Sequence, residues 1–243
     1  MLEGSLVVVV VPAFREEAHI ARVIETMPAF VDTIIVVDDG SADRTGAAAL
    51  EVGDERVRLE RHPWRRGVGA ALTTGYRAGL RFTRSPSDAL CVMAGDGQMD
   101  PDDLERVVRP VALGQADYVK GDRFGDAGVR RSMGLPRWVG GQVFSRLTSA
   151  AIGQRISDSQ CGFTALARGA ATRLDLDGLW PSFGYPNDLL GQLKARRLCV
   201  AEVPVRPVYG DEISKLRLRH LPPIFFLIGR AALRCRAARH PSG

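Results

Sequence analysis

A carboxylate at Asp96 and an amide at Gln98 stand one residue apart within Asp88–Asp103, which reads D-A-L-C-V-M-A-G-D-G-Q-M-D-P-D-D. The apolar run Ala89–Met93 before them is long enough for one buried strand. Ala94 and Gly95 then let the backbone bend and let a ligand come close. Two oxygen donors at the end of such a strand make half of a site for a hard divalent cation. Pro101, Asp102 and Asp103 fit a helix start, with proline near the first position and negative charge in the first turn. A solvated acidic turn explains the same residues on local grounds, because strand-to-helix turns favour Asp, Gly and Pro. A calcium EF-hand does not: it requires a Gly and a Glu where counting from Asp96 gives Pro101 and Val107.

Other charged groups fall at comparable places. Leu6–Val11 is a continuous β-branched run, the pattern of a strand buried on both faces, and it leads to Pro12-Ala13-Phe14-Arg15-Glu16-Glu17. Ile20, Val23, Ile24 and Met27 recur at helical spacing after it. Thr33–Val37 is a second buried run and delivers Asp38-Asp39-Gly40-Ser41, where Ser41 or Asp43 can cap the next helix. Val57–Glu60 is a weak third strand, and Gly67-Val68-Gly69-Ala70-Ala71 lies in the opening of a helix reaching about Phe82. Asp102–Leu113 is the helix after Ala89–Met93. Asp117–Lys120 is a fifth strand, ending at Gly121-Asp122-Arg123-Phe124. Strands alternating with helices predict a parallel α/β sheet with right-handed crossovers. Ligands of such sheets bind outside the carboxyl ends of the strands. That rule puts Phe14-Arg15-Glu16, Asp38-Asp39, Asp96-Gln98 and Arg123 on one edge.

The second half differs in style. Gly125–Gly134 is a polar, arginine-bearing loop with Arg130 and Arg131, and Val139–Ile152 is a helix. Phe163–Ala167 and Cys199–Val205 are strands, with Leu189–Arg196 a helix between them. Asp188 sits at that helix's start, after Tyr185-Pro186-Asn187. One body extends to about residue 210. Residues 211–243 form a loop and a tail, whose apolar centre Ile224–Ile228 is flanked by Arg217, Arg219, Arg230, Arg234, Arg236 and Arg239. Apolar centre and basic flanks fit an interfacial helix held on an anionic lipid surface; a helix docked on the core or a dimer contact is the plainer reading.

The 243 residues, 45% hydrophobic and 25% charged, are enough for one large α/β domain. The net charge of +5 is concentrated in Arg123–Arg137 and Lys215–Arg239, which points to an anionic partner there. Leu6–Val11 is short, lacks a positive flank and runs into Pro12, so no secretory signal is predicted. No run reaches the roughly 18 apolar residues of a membrane span. Cys91, Cys161, Cys199 and Cys235 are far apart without a C-x-x-C, which predicts reduced thiols in the cytoplasm. Gly67-Val68-Gly69 lacks the third glycine of a dinucleotide turn. His19, His62, His220 and His240 have no metal-ligand spacing and read as surface residues. No nucleic-acid-binding motif accompanies the arginines.

The series P-A-F-x-E-E, V-V-D-D-G-S-x-D-x-T, G-V-G-A-A, G-D-G-Q-M-D-P, G-x-R-F, D-S-Q-C-G-F and Y-G-x-x-x-S-K, in this order over about residues 6–215, resembles the family-2 glycosyltransferases of GT-A fold. The branch it is most similar to is the polyprenyl-phosphate sugar synthases, such as dolichol-phosphate mannose synthase. The resemblance implies a Rossmann-like, mostly parallel sheet flanked by helices as the catalytic domain, residues 1–210. It implies an inverting, metal-dependent transfer from a nucleotide sugar, GDP-mannose or UDP-hexose, to polyprenyl phosphate at the inner membrane face. A soluble relative acting on a hydroxyl of a small molecule or glycan is the alternative. Pro12, Phe14 and Glu16 would line the nucleoside pocket, with Asp38 and Asp39 beside base or ribose and Gln160 near the sugar. Asp96, assisted by Gln98, would hold Mg2+ or Mn2+ on the diphosphate. Arg123 would meet the phosphates, and Lys215 would reach them as the loop closes. Two departures stand out. Ala94 replaces the acid usual two residues before Asp96, and arginines at 15 and 65 replace usual asparagines.

Residue chemistry separates the two acceptors. A phosphate oxygen is already ionised near neutral pH and needs no strong base. Arg130, Arg131 and Arg137 could hold it by charge-assisted hydrogen bonds. A hydroxyl needs a base, for which Asp188 is the candidate; as the plainer reading, its charge only complements a helix N-terminus.

Overall fold

The computed structural model describes residues 1–125, 133–208 and 221–239, with Pro136, Arg137 and Arg239 described by backbone alone. Its first half alternates β1 (Val7–Ala13), α1 (Ile20–Glu25), β2 (Thr33–Asp38), α2 (Thr45–Glu51), β3 (Val57–Arg61), α3 (Val68–Leu80), β4 (Ala89–Val92), α4 (Leu104–Ala112) and β5 (Tyr118–Asp122). Then follow α5 (Leu135–Ile152), β6 (Thr164–Ala167), the single turn α6 (Arg168–Ala171), α7 (Tyr185–Ala195), β7 (Val200–Pro204) and α8 (Leu221–Arg239). The seven strands form one sheet in the order β3-β2-β1-β4-β6-β5-β7.

Continuous apolar strands explain the centre. Val7–Val11 and Ile34–Val37 are wholly buried, because helices cover both faces of the parallel pairs β1–β2, β1–β4 and β2–β3. Helix α3 lies close on this sheet through glycine. A Cβ at Gly75 would stand 2.1 Å from Val10, so any side chain there would lift the helix.

β6 is what makes the sheet mostly rather than wholly parallel: it pairs antiparallel with both β4 and β5. The connection gives the reason. The chain leaves β5 at the sheet's carboxyl edge, and the segment before β6 returns to that same edge, where Gly121 N–H donates to Phe163 O. A strand entered from that edge must run backwards. β7 then pairs parallel with β5.

The tail helix α8 packs on α7 and α5. Ile224, Leu227, Ile228, Ala231 and Cys235 are buried in that contact, while Phe225, Phe226 and Leu233 stay exposed. The docked helix therefore describes its inner face. Among the described residues, no helix is long and apolar enough to cross a membrane.

Candidate active site

The carboxyl ends of β1, β2, β4 and β5 share one edge, and hydrogen bonds between the loops fix their order. Gly95 N–H donates to Pro12 O, joining the β4 end to β1. A Cβ at Gly95 would touch Ala13 and Ile20, so these two loops pack without a side chain between them. Gly97 has φ +71°, a left-handed turn that swings the chain so that Asp96 Oδ1 accepts the N–H of Gln98 at 3.2 Å. Asp100 then accepts the N–H of Asp102 and caps the turn Pro101–Asp103 ahead of α4. Asp96 and Gln98 are half-buried and line a cleft of about 490 Å³, whose other wall is His19, Arg22, Val23 and Thr26 from α1 and its flanks. Val208 N–H donates to Gln98 O and closes one end of it.

Phe14 and Glu16 follow β1. The Arg65 guanidinium lies over the Phe14 ring at 4.1 Å, a cation–π contact. Glu16 is buried, with its N–H on Thr45 Oγ1 and its carboxylate 3.1 Å from His19 Nδ1. Pro12 is half-buried at the end of β1.

Asp38 and Asp39 part company, because neighbouring strand residues point to opposite faces. Asp38 is fully buried: one oxygen accepts Ser41 N–H, and the other lies 3.3 Å from Arg61 Nε without a hydrogen bond. Its side chain faces Gly46 of α2, so of the two acids expected beside the donor Asp38 is spent inside the fold. Asp39 accepts from Arg66 N–H and Gly67 N–H at 2.8 Å each, tying down the entry to α3. His62 Nδ1 stands 2.7 Å from the same carboxylate, and its Nε2 bonds Thr74. Three acceptor positions of Asp39 are thus used by the chain, leaving one on Oδ2. His62 corrects its surface reading: it is only 5% exposed.

At the β5 end, Arg123 makes a two-pronged pair with Asp158, Nε to Oδ2 at 2.6 Å and Nη2 to Oδ1 at 3.0 Å. Asp158 is fully buried, and Oδ1 also accepts the N–H groups of Gln160 and Cys161. Burial alone would push its carboxyl up; the Arg123 guanidinium, with Lys120 behind it, outweighs that and holds it below the usual range. Lys120 is also fully buried and donates to Cys161 O; burial depresses its ammonium, with Cys161 and Asp158 opposing. Asp158 lies inside D-S-Q-C-G-F, yet composition and periodicity gave it no role. Its sign is the signal, since an acid at the sheet edge can orient the arginine at the β5 end. Gln160 is half-buried beside it, with its amide on Ser159 Oγ. A Cβ at Gly162 would touch both Met99 and Tyr185, so the loop after Asp96 meets this one.

Asp188 has partners of its own. It is fully buried in the first turn of α7, where Oδ2 accepts Trp180 N–H and Oδ1 pairs with Arg234 of α8 at 2.5 Å, with Arg230 at 3.6 Å. Both oxygens are committed to holding α8 and the Trp180 turn. Because this removes a buried counter-charge from two arginines that keep some solvent, Asp188→Asn lowers stability by about 2–3 kcal/mol. Denaturant unfolding checks this; an unchanged midpoint would refute the anchoring role.

Arg130, Arg131 and Lys215 lie outside the described residues, and the Arg137 side chain with them; its backbone is in the first turn of α5. Among the described residues, no three His, Cys, Asp or Glu side chains converge as metal ligands. The edge offers Asp96 with Gln98 beside it, which fits an ion that takes one or two protein oxygens and completes its shell from substrate phosphates and water, the habit of Mg2+.

The model of the family described as glycosyl transferase family 2 matches residues 8–174. A UDP-N-acetylglucosamine–dolichyl-phosphate N-acetylglucosaminyltransferase of Methanococcus voltae is 28% identical over 86% of this chain and 88% of its own length. A polyprenol monophosphomannose synthase of Mycolicibacterium smegmatis is 29% identical over 95% of this chain and 88% of its own. Glucosyl-3-phosphoglycerate synthase of Mycobacterium tuberculosis, solved with Mn2+, UDP and phosphoglyceric acid, covers 96% of this chain and 79% of that one with TM-score 0.67 at 23% identity. The last likeness is one of fold, the GT-A arrangement.

Proposed function

This chain belongs to glycosyl transferase family 2, and from that premise we propose that it moves a hexose from GDP-mannose or a UDP-hexose to a polyprenyl phosphate, with inversion. Both relatives above carry a polyprenyl or dolichyl phosphate in their names, and each is matched over most of its length. The observation that carries the choice of acceptor is Asp188. The carboxylate best suited by sequence to deprotonate a hydroxyl is buried and paired with Arg234. A phosphate acceptor arrives ionised and needs no such base.

Each residue then has a task. Phe14 and Glu16 receive the nucleoside, with Asp39 presenting its remaining lone pair. Asp96 and Gln98 hold a divalent ion, which when bound offsets charge on the departing diphosphate. Arg123, aligned by Asp158, donates to the same phosphates as they gain charge, where its fixed orientation requires no reorganisation. Gln160 orients the sugar. The acceptor phosphate oxygen attacks the anomeric carbon as the bond to the diphosphate breaks. Arg130, Arg131 and Arg137 steer that phosphate, Lys215 closes on the donor, and the enzyme works at the cytoplasmic membrane face.

The test supplies radiolabelled GDP-mannose, UDP-glucose and UDP-N-acetylglucosamine in turn, with Mn2+ and detergent-dispersed polyprenyl phosphate. Label should pass into the organic phase with one of them. Label that appears only on water-soluble hydroxyl acceptors would replace this reading with the soluble one.

A further inference from the structure

Large apolar side chains stand in water on two neighbouring helices. On α5 these are Leu135, Val139, Val143 and Leu147, each at least 40% exposed and four residues from the next, so they form one stripe. On α8 they are Phe225, Phe226 and Leu233. The two helices touch where the exposed Phe225 ring of α8 packs on the buried Phe144 ring of α5 at 5.5 Å. The inner faces of both helices are already satisfied by Phe144, Thr148, Ile224 and Leu227, so the core has no use for the outer residues.

The charge on these helices has one sign. α5 and α8 together carry six arginines and no acid. Arg230 and Arg234 are tied to Asp188, while Arg146 and Arg236 are exposed. A second copy docking face to face would set arginine against arginine, which disfavours self-association. An anionic leaflet offers both halves of the complement, acyl chains for the stripe and phosphates for the guanidinium groups.

The position is also informative. A Cβ at Gly141 of α5 would stand 2.6 Å from the Phe124 ring, so α5 lies against the residue that follows Arg123. Helix α5 therefore borders the edge where the diphosphate would lie, with the stripe on the side of the helix turned away from Phe124.

We propose that the α5–α8 face is a bilayer-docking surface: the stripe enters an anionic leaflet, the arginines sit at its phosphates, and the strand-end edge is held at the interface. A prenyl phosphate can then present its head group at Arg123 while its chain stays in lipid. This rests on the lipid-phosphate reading for its purpose, while the docking itself is measured by vesicle binding without turnover.

Flotation with phosphatidylglycerol-containing and pure phosphatidylcholine vesicles tests it. The protein should partition at least about tenfold more strongly onto the anionic vesicles. Val139→Asp with Val143→Asp should weaken that at least about tenfold. Both sites are exposed, so the circular dichroism spectrum should not change; Val139→Ser with Val143→Ser is the milder pair should the aspartates unfold the helix. Transfer to a short, water-soluble prenyl phosphate should be equal in wild type and variant, while transfer to polyprenyl phosphate embedded in vesicles falls. A variant that floats like the wild type overturns the docking surface, as does a dimer in sedimentation velocity that the variant dissociates. A wild type that floats as stated yet transfers to neither prenyl phosphate leaves the surface standing and removes the acceptor reading instead.

Discussion

Asp96→Asn should reduce transfer by about a thousandfold, equivalent to roughly 4 kcal/mol of lost transition-state stabilisation. The asparagine can still accept the Gln98 N–H, so the turn with Gly97 at φ +71° survives. The thermal midpoint should therefore move by no more than about 4 °C. What disappears is the negative charge that would hold a divalent ion at the end of β4. Ala94 makes the effect large, because the acid that could share the task is missing. Initial rates at rising Mn2+ check it: the variant should recover part of its rate at high Mn2+. A variant with wild-type rate at low Mn2+ would move the metal away from this residue.

Asp158→Asn is expected to act twice. It leaves the buried Lys120 and the half-buried Arg123 without their counter-charge, at a cost of about 3–5 kcal/mol in stability. It also frees the Arg123 guanidinium to turn, which should lower kcat by about 10²–10³-fold. Asp158 acts through Arg123, so the double variant with Arg123→Ala should be scarcely slower than Arg123→Ala alone. Additive losses would show that Asp158 works by another route. The pH dependence gives an independent sign. The Asp158 carboxyl is held below its unfolded value, so its stabilisation is fully present above about pH 4 and is lost as pH falls through the depressed folded value. In acid unfolding the asparagine variant should lack that part of the slope. Sensitivity equal to wild type would mean that the carboxylate is not ionised in the folded protein.

The sheet was legible where chemistry repeats. Val7–Val11 and Thr33–Val37 are unbroken β-branched runs, and they are the buried central strands. Asp96 was legible for a local reason, an acid after a buried run, whereas the bend expected at Ala94 and Gly95 has its left-handed residue at Gly97. The direction of β6 was not, since four buried residues read alike either way along the sheet. Pairings between distant residues were also hidden. Asp188 meets Arg234 46 positions away, and nothing in Y-P-N-D marks it as an anchor. His62 is internal because of Asp39, 23 positions earlier, and Thr74. The tail was ambiguous in a different way: α8 is apolar on its docked side and on its outer side, and an apolar centre between arginines does not say which side meets protein.

At the centre of the proposed reaction is a divalent ion held jointly by Asp96 and a nucleoside diphosphate. Titrating Mn2+ into the protein by electron paramagnetic resonance, with and without UDP or GDP, measures this directly. Wild type should bind Mn2+ at least about tenfold more tightly when its nucleoside diphosphate is present, and Asp96→Asn should lose that gain. Equal Mn2+ affinity in wild type and Asp96→Asn with the nucleotide bound would contradict it.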